Sequence, residues 1–370
     1  MHRETTYEKW IQAQGLPIVQ GYGIECLVDV PRVPWERMGG RGTFVKLHGM
    51  EGVTGLYVAE IPPGGALNPE KHLYEEILYV LQGRGSAEVW TPGSDRKTTF
   101  EWHEGSLFAM PLNAWHRLYN GSGNEPAVFL GFGNAPMILD IFHNPHFVFN
   151  SDYAFDDRFQ ARRDYFTPQE RMWDDLERLW LWKANFVPDV RRAEVDSLES
   201  KGSGMRLTQC ELGDGVMVAH IADWPNGQYQ KAHHHGAGAV LLIVRGQGYT
   251  LLWPPEAGTQ PYASGHADRV IKVPWREGSV VSPPAGWFHQ HMSTGREPAR
   301  QLALRWGTRV YGVEWVDLQR REGVFVSVKN GGTLIEYEDE DPAIGREFAE
   351  ECAKNGVEVR MPHLAALSTR

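Results

Sequence analysis

The chain is a succession of short apolar runs cut by glycine, proline and polar breaks. Val80-Leu81 leads into Gln82-Gly83-Arg84-Gly85 and Val244 into Arg245-Gly246-Gln247-Gly248, and each is followed by a second run reaching a tryptophan, Trp90 or Trp253. Runs of this length, rich in Val, Leu, Ile, Tyr and Trp and bounded by Gly and Pro, predict antiparallel strands closed into a barrel or double sheet rather than βαβ units. Two segments read differently. Thr167-Pro168-Gln169-Glu170 has the capping-box pattern with Trp173, Leu176 and Trp180 following at helical spacing, which predicts a helix packed on a barrel through its tryptophans. Near the C-terminus, Asp341 as cap, Pro342 at the first position and Gly356 at the end bound a second helix, with Ile344, Phe348 and Cys352 on one apolar stripe.

The breaks repeat. Gly227 follows Gly64, Gly246 follows Gly83 and Trp253 follows Trp90 at one offset of 163 residues. Gly278 then follows Gly105 and His289 follows His116 at 173, and Gly295-Arg296-Glu297-Pro298 follows Gly123-Asn124-Glu125-Pro126 at 172. A constant offset interrupted once means two copies of one domain, the second with a longer loop within 254–278. The expected organisation is a first β-domain over 1–150, a helical linker over 151–190, a second β-domain over 191–330 and a helical extension over 331–370.

Composition narrows the partners. With 47 acidic against 37 basic residues the net charge is -10, so nothing attracts phosphate backbones, and neither nucleic acid nor a membrane surface is expected. No apolar run has the length of a membrane span, and the first residues lack a signal-peptide pattern, so a cytoplasmic protein is expected. Cys26, Cys210 and Cys352 are odd in number and far apart, which argues against a disulfide framework, and Cys352 reads as a core thiol.

The spacing of the polar residues resembles the two-part pattern of the cupin superfamily. The second copy presents Gly227, His233, His235, Ala239 and Gly246, then Gly278, Pro284, Gly286, His289 and Ser293; eight of ten positions match. The first presents Gly64, Glu70, His72, Glu76 and Gly83, then Gly105, Pro111, Asn113, His116 and Asn120, again eight of ten. Two matched copies resemble bicupins. The resemblance implies an all-β fold of two cupin barrels of the double-stranded jelly-roll type, with the linker between them partly helical. It covers about 45–135 and 210–310.

Strand alternation gives the pattern a chemical sense. His233 and His235 share one face, and His289 from another strand can meet them inside the barrel, whereas His234 faces outward. Three imidazoles inside a barrel are costly unless they bind a metal or satisfy one another, and imidazole suits Fe, Zn, Ni and Cu. The acidic ligand of the family pattern is absent at Ala239, leaving a neutral set with open positions, comparable with the facial site of non-heme iron oxygenases; a zinc hydrolase or a decayed site fits the same residues. His291 lies two residues beyond His289 on the expected inner face, as a general base or as an orienting neighbour. Arg305 is a carboxylate clamp if it points inward and a solvated charge if outward. Trp287, Phe288 and Tyr229 line the site or the core. In the first copy, His72, Glu76 and His116 keep three ligand positions, with Glu70 in place of the first histidine and Tyr74 on the same face; a site for Mn or Fe and a buried His72–Glu76 pair are the two readings. His143 and His146 have neither strand nor helical spacing for a ligand pair.

The function expected is a metal-dependent dioxygenase, iron(II) favoured with Mn, Ni, Zn or Cu as other divalent ions, acting on a small aromatic or enolisable acid at the second copy. The resemblance implies this through gentisate 1,2-dioxygenase-like bicupins, which place such a site in their first cupin. A non-redox decarboxylase, lyase or isomerase and a non-catalytic ligand-binding bicupin are the alternatives. A small molecule is the expected partner, and self-association into a homo-oligomer is expected from the same resemblance.

Overall fold

The computed structural model describes residues 3–175, 179–198, 202, 204–308 and 326–365. Two β-barrels account for most of it. In the first, an eight-stranded sheet runs through Ile18–Gly21, Gly40–Leu47, Gly55–Ile61, Ala127–Gly133, Glu76–Gln82, Leu107–Met110 and Phe186–Val187, with Val33–Trp35 added beside Gly40–Leu47. It faces a three-stranded sheet of Trp115–Asn120, Arg84–Trp90 and Thr98–His103. The second barrel repeats the order. Its large sheet holds Arg206–Glu211, Met217–Trp224, Ala299–Trp306, Val240–Arg245 and Val280–Val281, facing Gln228–Tyr229, Phe288–Ser293, Gln247–Trp253 and Ile271–Arg276. The repeat in the breaks is thus a repeat of strands, antiparallel as expected except where Ile18–Gly21 runs parallel to Gly40–Leu47 and Leu179–Ala184 parallel to Arg206–Glu211.

Alternation along the strands splits the core. Leu56 and Val58 of one barrel and Ile221, Leu302 and Leu304 of the other belong to a single cluster that joins the two large sheets. The opposite parity lines each barrel: Ala59, Leu78 and Phe129 in the first, Ala222, Leu241 and Ala303 in the second. Each barrel also borrows a strand from the other half of the chain. Gly23–Ile24 pairs with Val280–Val281, and Phe186–Val187 with Leu107–Met110. The expected division at 150 and 190 is therefore crossed twice by hydrogen-bonded strands.

The helix expected after Thr167 is not formed. Pro168–Asp174 and Leu179–Ala184 are strands of an antiparallel hairpin, on which Trp173 and Trp180 stand opposite one another with ring centroids 5.6 Å apart. Thr167 donates its hydroxyl back to Asp164 O instead of capping a helix. Leu179 and Leu181 are buried while Trp180 and Trp182 are half-buried, a period of two that the helical spacing of Trp173 and Trp180 concealed; Leu176 lies outside the described residues. The C-terminal helix forms as expected over Pro342–Asn355, capped by the Asp341 carboxylate on Ala343 N and ended by Gly356 at φ 67°, with Ile344, Phe348 and Cys352 buried. Among the described residues no helix is long and apolar enough to cross a membrane.

Candidate metal centres

His233 and His289 meet across the mouth of the second barrel, where each backbone N–H donates to the other residue's carbonyl. His235 follows on the same face. One nitrogen from each of the three rings lies within 4.8 Å of the others. The other nitrogen of each ring is held by the backbone: Nδ1 of His233 lies 3.1 Å from Lys231 O, that of His235 2.8 Å from Gly236 O, and that of His289 3.1 Å from Trp287 O. A carbonyl only accepts, so each Nδ1 carries a proton, and Nε2 is the nitrogen each ring can offer to a metal. Three imidazole nitrogens within reach of one ion are a donor set that fits a divalent metal.

The loop that carries this site is pinned by the other half of the chain. Gly238 N–H donates to Gly49 O at 2.7 Å, and Thr54 Oγ1 donates to Gly238 O. Ala239 is buried and adds no ligand. Extending the ladder one step beyond the Val240–Leu304 pair sets Ala239 opposite Arg305, and Arg305 shares the barrel-lining face with Ala303 and Gln301. The Arg305 Nε donates to Trp306 O at 3.1 Å. His291 is buried deeper in the barrel, its Nδ1 2.8 Å from Thr250 Oγ1 and its ring stacked on Trp224 at 4.9 Å. Thr250 accepts in turn from Trp275 Nε1. Phe288 and Tyr229 point out of the barrel into the layer under the C-terminal helix, where the Tyr229 hydroxyl donates to Glu340. His234 also faces that layer, edge-on to Phe288.

The first barrel brings His72, Glu76 and His116 together, all buried, with one ligand atom from each within 4.8 Å of the others. The tautomers are set as in the second barrel: His72 Nδ1 lies 2.8 Å from Tyr74 O and His116 Nδ1 3.2 Å from Ala114 O. His72 Nε2 and Glu76 Oε2, 3.4 Å apart, are buried and make no hydrogen bond. A buried structural pair would close that gap with a proton, whereas two orphaned polar atoms facing each other fit a cation held between them. The residues therefore fit a divalent metal.

Glu70, in the place of the first histidine, is turned aside. Its Oε2 lies 2.6 Å from Arg37 Nη1 and its Oε1 3.6 Å from His116 Nε2. Burial alone would raise the Glu70 carboxyl, but Arg37 and then His116 hold it well below the usual carboxylate range. Burial alone would lower His116, but the Glu70 carboxylate beside it and then Glu76 raise it. Tyr74 stacks face to face on His72 at 3.6 Å. Tyr57, partly buried, donates its hydroxyl to Glu76 Oε1 at 2.9 Å; burial and the Glu76 charge push that phenol well up, so it stays a donor. Arg37, Tyr57, Glu70, Tyr74 and Glu76 edge a cavity of about 20 Å³, room for a water-sized group.

Sequence reasoning missed Arg37, Tyr57, Thr250 and Trp224. None lies in the spaced pattern. Tyr57 and Trp224 do have a signal in the repeat, since both fall on the inward parity of equivalent strands. His143 and His146 sit on the surface, bound to Thr6 and Asn150, away from either centre.

Residues 46–150 match the family described as Cupin. No curated protein matches the chain. Among solved structures, the chain is similar to vicilin from hazelnut, Corylus avellana, at 13% identity and TM-score 0.48, over 77% of this chain and 85% of that one. It is similar to oxalate decarboxylase from Bacillus subtilis, a protein with Mn(II) centres, at 13% identity and TM-score 0.49, over 80% and 79% of the two chains. The fold is all-β, two cupin barrels in one chain, and each barrel carries a residue group that could hold a metal ion.

Proposed function

We propose that the chain is a metal-dependent dioxygenase acting on a small aromatic or enolisable acid at His233, His235 and His289. The observation that carries this reading is the ligand set: three imidazoles converge within reach of one ion, and Ala239 stands where the cupin pattern has its acidic residue. Three imidazoles take no charge from a divalent ion they hold, and Arg305 lies on the same barrel face. Such a site favours an anion, and a carboxylate with an adjacent hydroxyl or enolate oxygen would fill two open positions on the ion. Iron(II) bound there would supply the redox chemistry needed to combine dioxygen with the acid. The protein's own groups orient and exclude: the Thr250–His291–Trp224 stack fixes the barrel floor, and the backbone carbonyls hold the three rings in register.

The test is oxygen uptake by metal-stripped protein reloaded with iron(II) or with zinc, offered hydroxylated aromatic and enolisable acids. Iron-loaded protein should consume one oxygen per acid and remain slow without the acid. Zinc-loaded protein should bind the acid and not turn it over, because zinc has no redox chemistry. Equal turnover with zinc, or turnover without oxygen, overturns the reading and promotes a decarboxylase, lyase or isomerase that uses the ion as a Lewis acid. That second reading has its own supporting feature in Glu76, a ligand type that suits redox-inert oxygen-preferring ions.

A further inference from the structure

The two barrels differ at linked positions. In the first, Tyr57 stands opposite Gly131 on the lining face, and Gly133 stands opposite Glu76. In the second, the same ladder places His220 opposite Ala303 and, one step beyond the paired residues, Arg305 opposite Ala239. Tyrosine, glutamate and glycine in one copy are thus replaced together by histidine, alanine and alanine in the other.

Their contacts explain the linkage. The Tyr57 ring crosses directly over Gly131, where an added Cβ would lie 2.1 Å from the ring carbon Cζ. Only a glycine lets the phenol lie flat enough to reach Glu76 Oε1 at 2.9 Å. With Oε1 engaged, Oε2 is the oxygen left facing His72 and His116, at 3.4 and 3.9 Å from their Nε2 atoms. Packing of Tyr57 edge-on to Trp35 and Phe129 fixes the ring from behind. In the second barrel His220 turns to Gln209 Oε1 instead, and position 239 carries an alanine in place of the carboxylate.

We infer that Tyr57 and Gly131 are positioning residues that fix Glu76 as a one-oxygen anionic ligand, so that the first barrel takes an oxygen-preferring dication such as Mn(II) in an environment the second barrel does not reproduce. Arg37 completes the device by engaging one oxygen of Glu70, which keeps the second carboxylate from taking over the position. The proposal is independent of the reaction assigned to the second barrel.

The test is titration of Mn(II) alone into metal-stripped full-length chain carrying His235→Ala, so that the first barrel is read by itself, with affinity from calorimetry and the electron paramagnetic resonance spectrum of the bound ion as the second readout. Tyr57→Phe removes one hydroxyl and keeps the packing; it should weaken Mn(II) binding about 10–100-fold, the usual cost of losing an orienting partner, and alter the zero-field splitting. Gly131→Ala should change both readouts in the same direction, and Ala303→Gly, its counterpart in the second barrel, should change neither. Mn(II) bound by Tyr57→Phe at the parent affinity with an unaltered spectrum would assign Tyr57 to packing alone and overturn the proposal. So would binding that survives Glu76→Gln undiminished.

Discussion

Adjacent histidines in the second barrel should respond oppositely to the same truncation. His235→Ala removes one of three candidate imidazole ligands, and among the described residues Ala237 and Ala239 on its face offer no replacement while His291 Nδ1 is tied to Thr250. Losing an orienting partner outside the coordination sphere costs about 10–100-fold in affinity, so losing a ligand should cost more than about 100-fold, or ~2.7 kcal/mol at 1.36 kcal/mol per decade. His234→Ala acts on the other side of the strand. Its ring is edge-on to Phe288 at 5.1 Å, and its backbone N–H, which the substitution keeps, donates to Thr333 O. It should lower stability by about 0.5–1.5 kcal/mol through the lost ring contact and leave metal affinity unaltered. Cobalt(II) titration followed by its visible spectrum reads both variants, with the first barrel as an internal reference of one ion per chain. Retention of the second ion by His235→Ala at parent affinity, or equal loss in His234→Ala, would refute the ligand assignment and the strand parity on which it rests.

Ala239→Glu should restore a fourth ligand beside Arg305, hold metal at least as tightly and suppress turnover; full turnover would show that the open position is not needed. Asp223→Ala should cost about 3–5 kcal/mol in denaturant unfolding, because Arg300, buried and doubly bonded to that carboxylate at 2.6 and 2.8 Å, is left unpaired. Thiol titration at pH 8 should count one accessible cysteine in the native chain and three after unfolding. Cys26 is partly exposed, whereas burial pushes the Cys210 and Cys352 thiols up to about 12, leaving roughly one in ten thousand as the reactive thiolate. Mn(II) at about 100 times its dissociation constant should add ~2.7 kcal/mol to the stability of the stripped protein, and an unmoved thermal midpoint would argue against the orphaned atoms of the first barrel as ligands.

What the sequence disclosed and what it concealed follow from the range of each interaction. The repeat was visible because glycines at turns and histidines on alternating strand positions are set by local backbone geometry, which is periodic. His233, His235 and His289 could be brought together on paper because two share a strand face and the third follows from the copy. The hairpin at 168–184 was hidden because Trp173 and Trp180 are seven apart, two helical turns and equally one cross-strand pair around a tight return; only tertiary pairing with Arg206–Glu211 decides between them. Arg37 and Tyr57 were hidden for a different reason. They reach Glu70 and Glu76 from strands and loops remote in the chain, and no spacing rule records such distances.

The exchange of strands bears on how far the two centres can be treated separately. Ser282 N–H donates to Tyr22 O, Gly238 N–H to Gly49 O, and Gly23–Ile24 extends the sheet that carries Val280–Val281, so the rim of the second centre is built partly from the first fifty residues. In return, Glu75, next to the candidate ligand Glu76, accepts through Oε2 from the N–H groups of Val216 and Met217 in the second half. A carboxylate receiving two backbone donors is held firmly, and it sits one residue from a ligand in one barrel while capping the start of the strand that lines the other. The two residue groups are thereby built on packed strands shared between the two halves of the chain. The two residue groups differ in that Glu76 and Gly133 of one copy stand where the other has Ala239 and Arg305. Under the proposed function, that difference would give one chain an ion with an anionic ligand from the protein and an ion that takes its anion from the substrate.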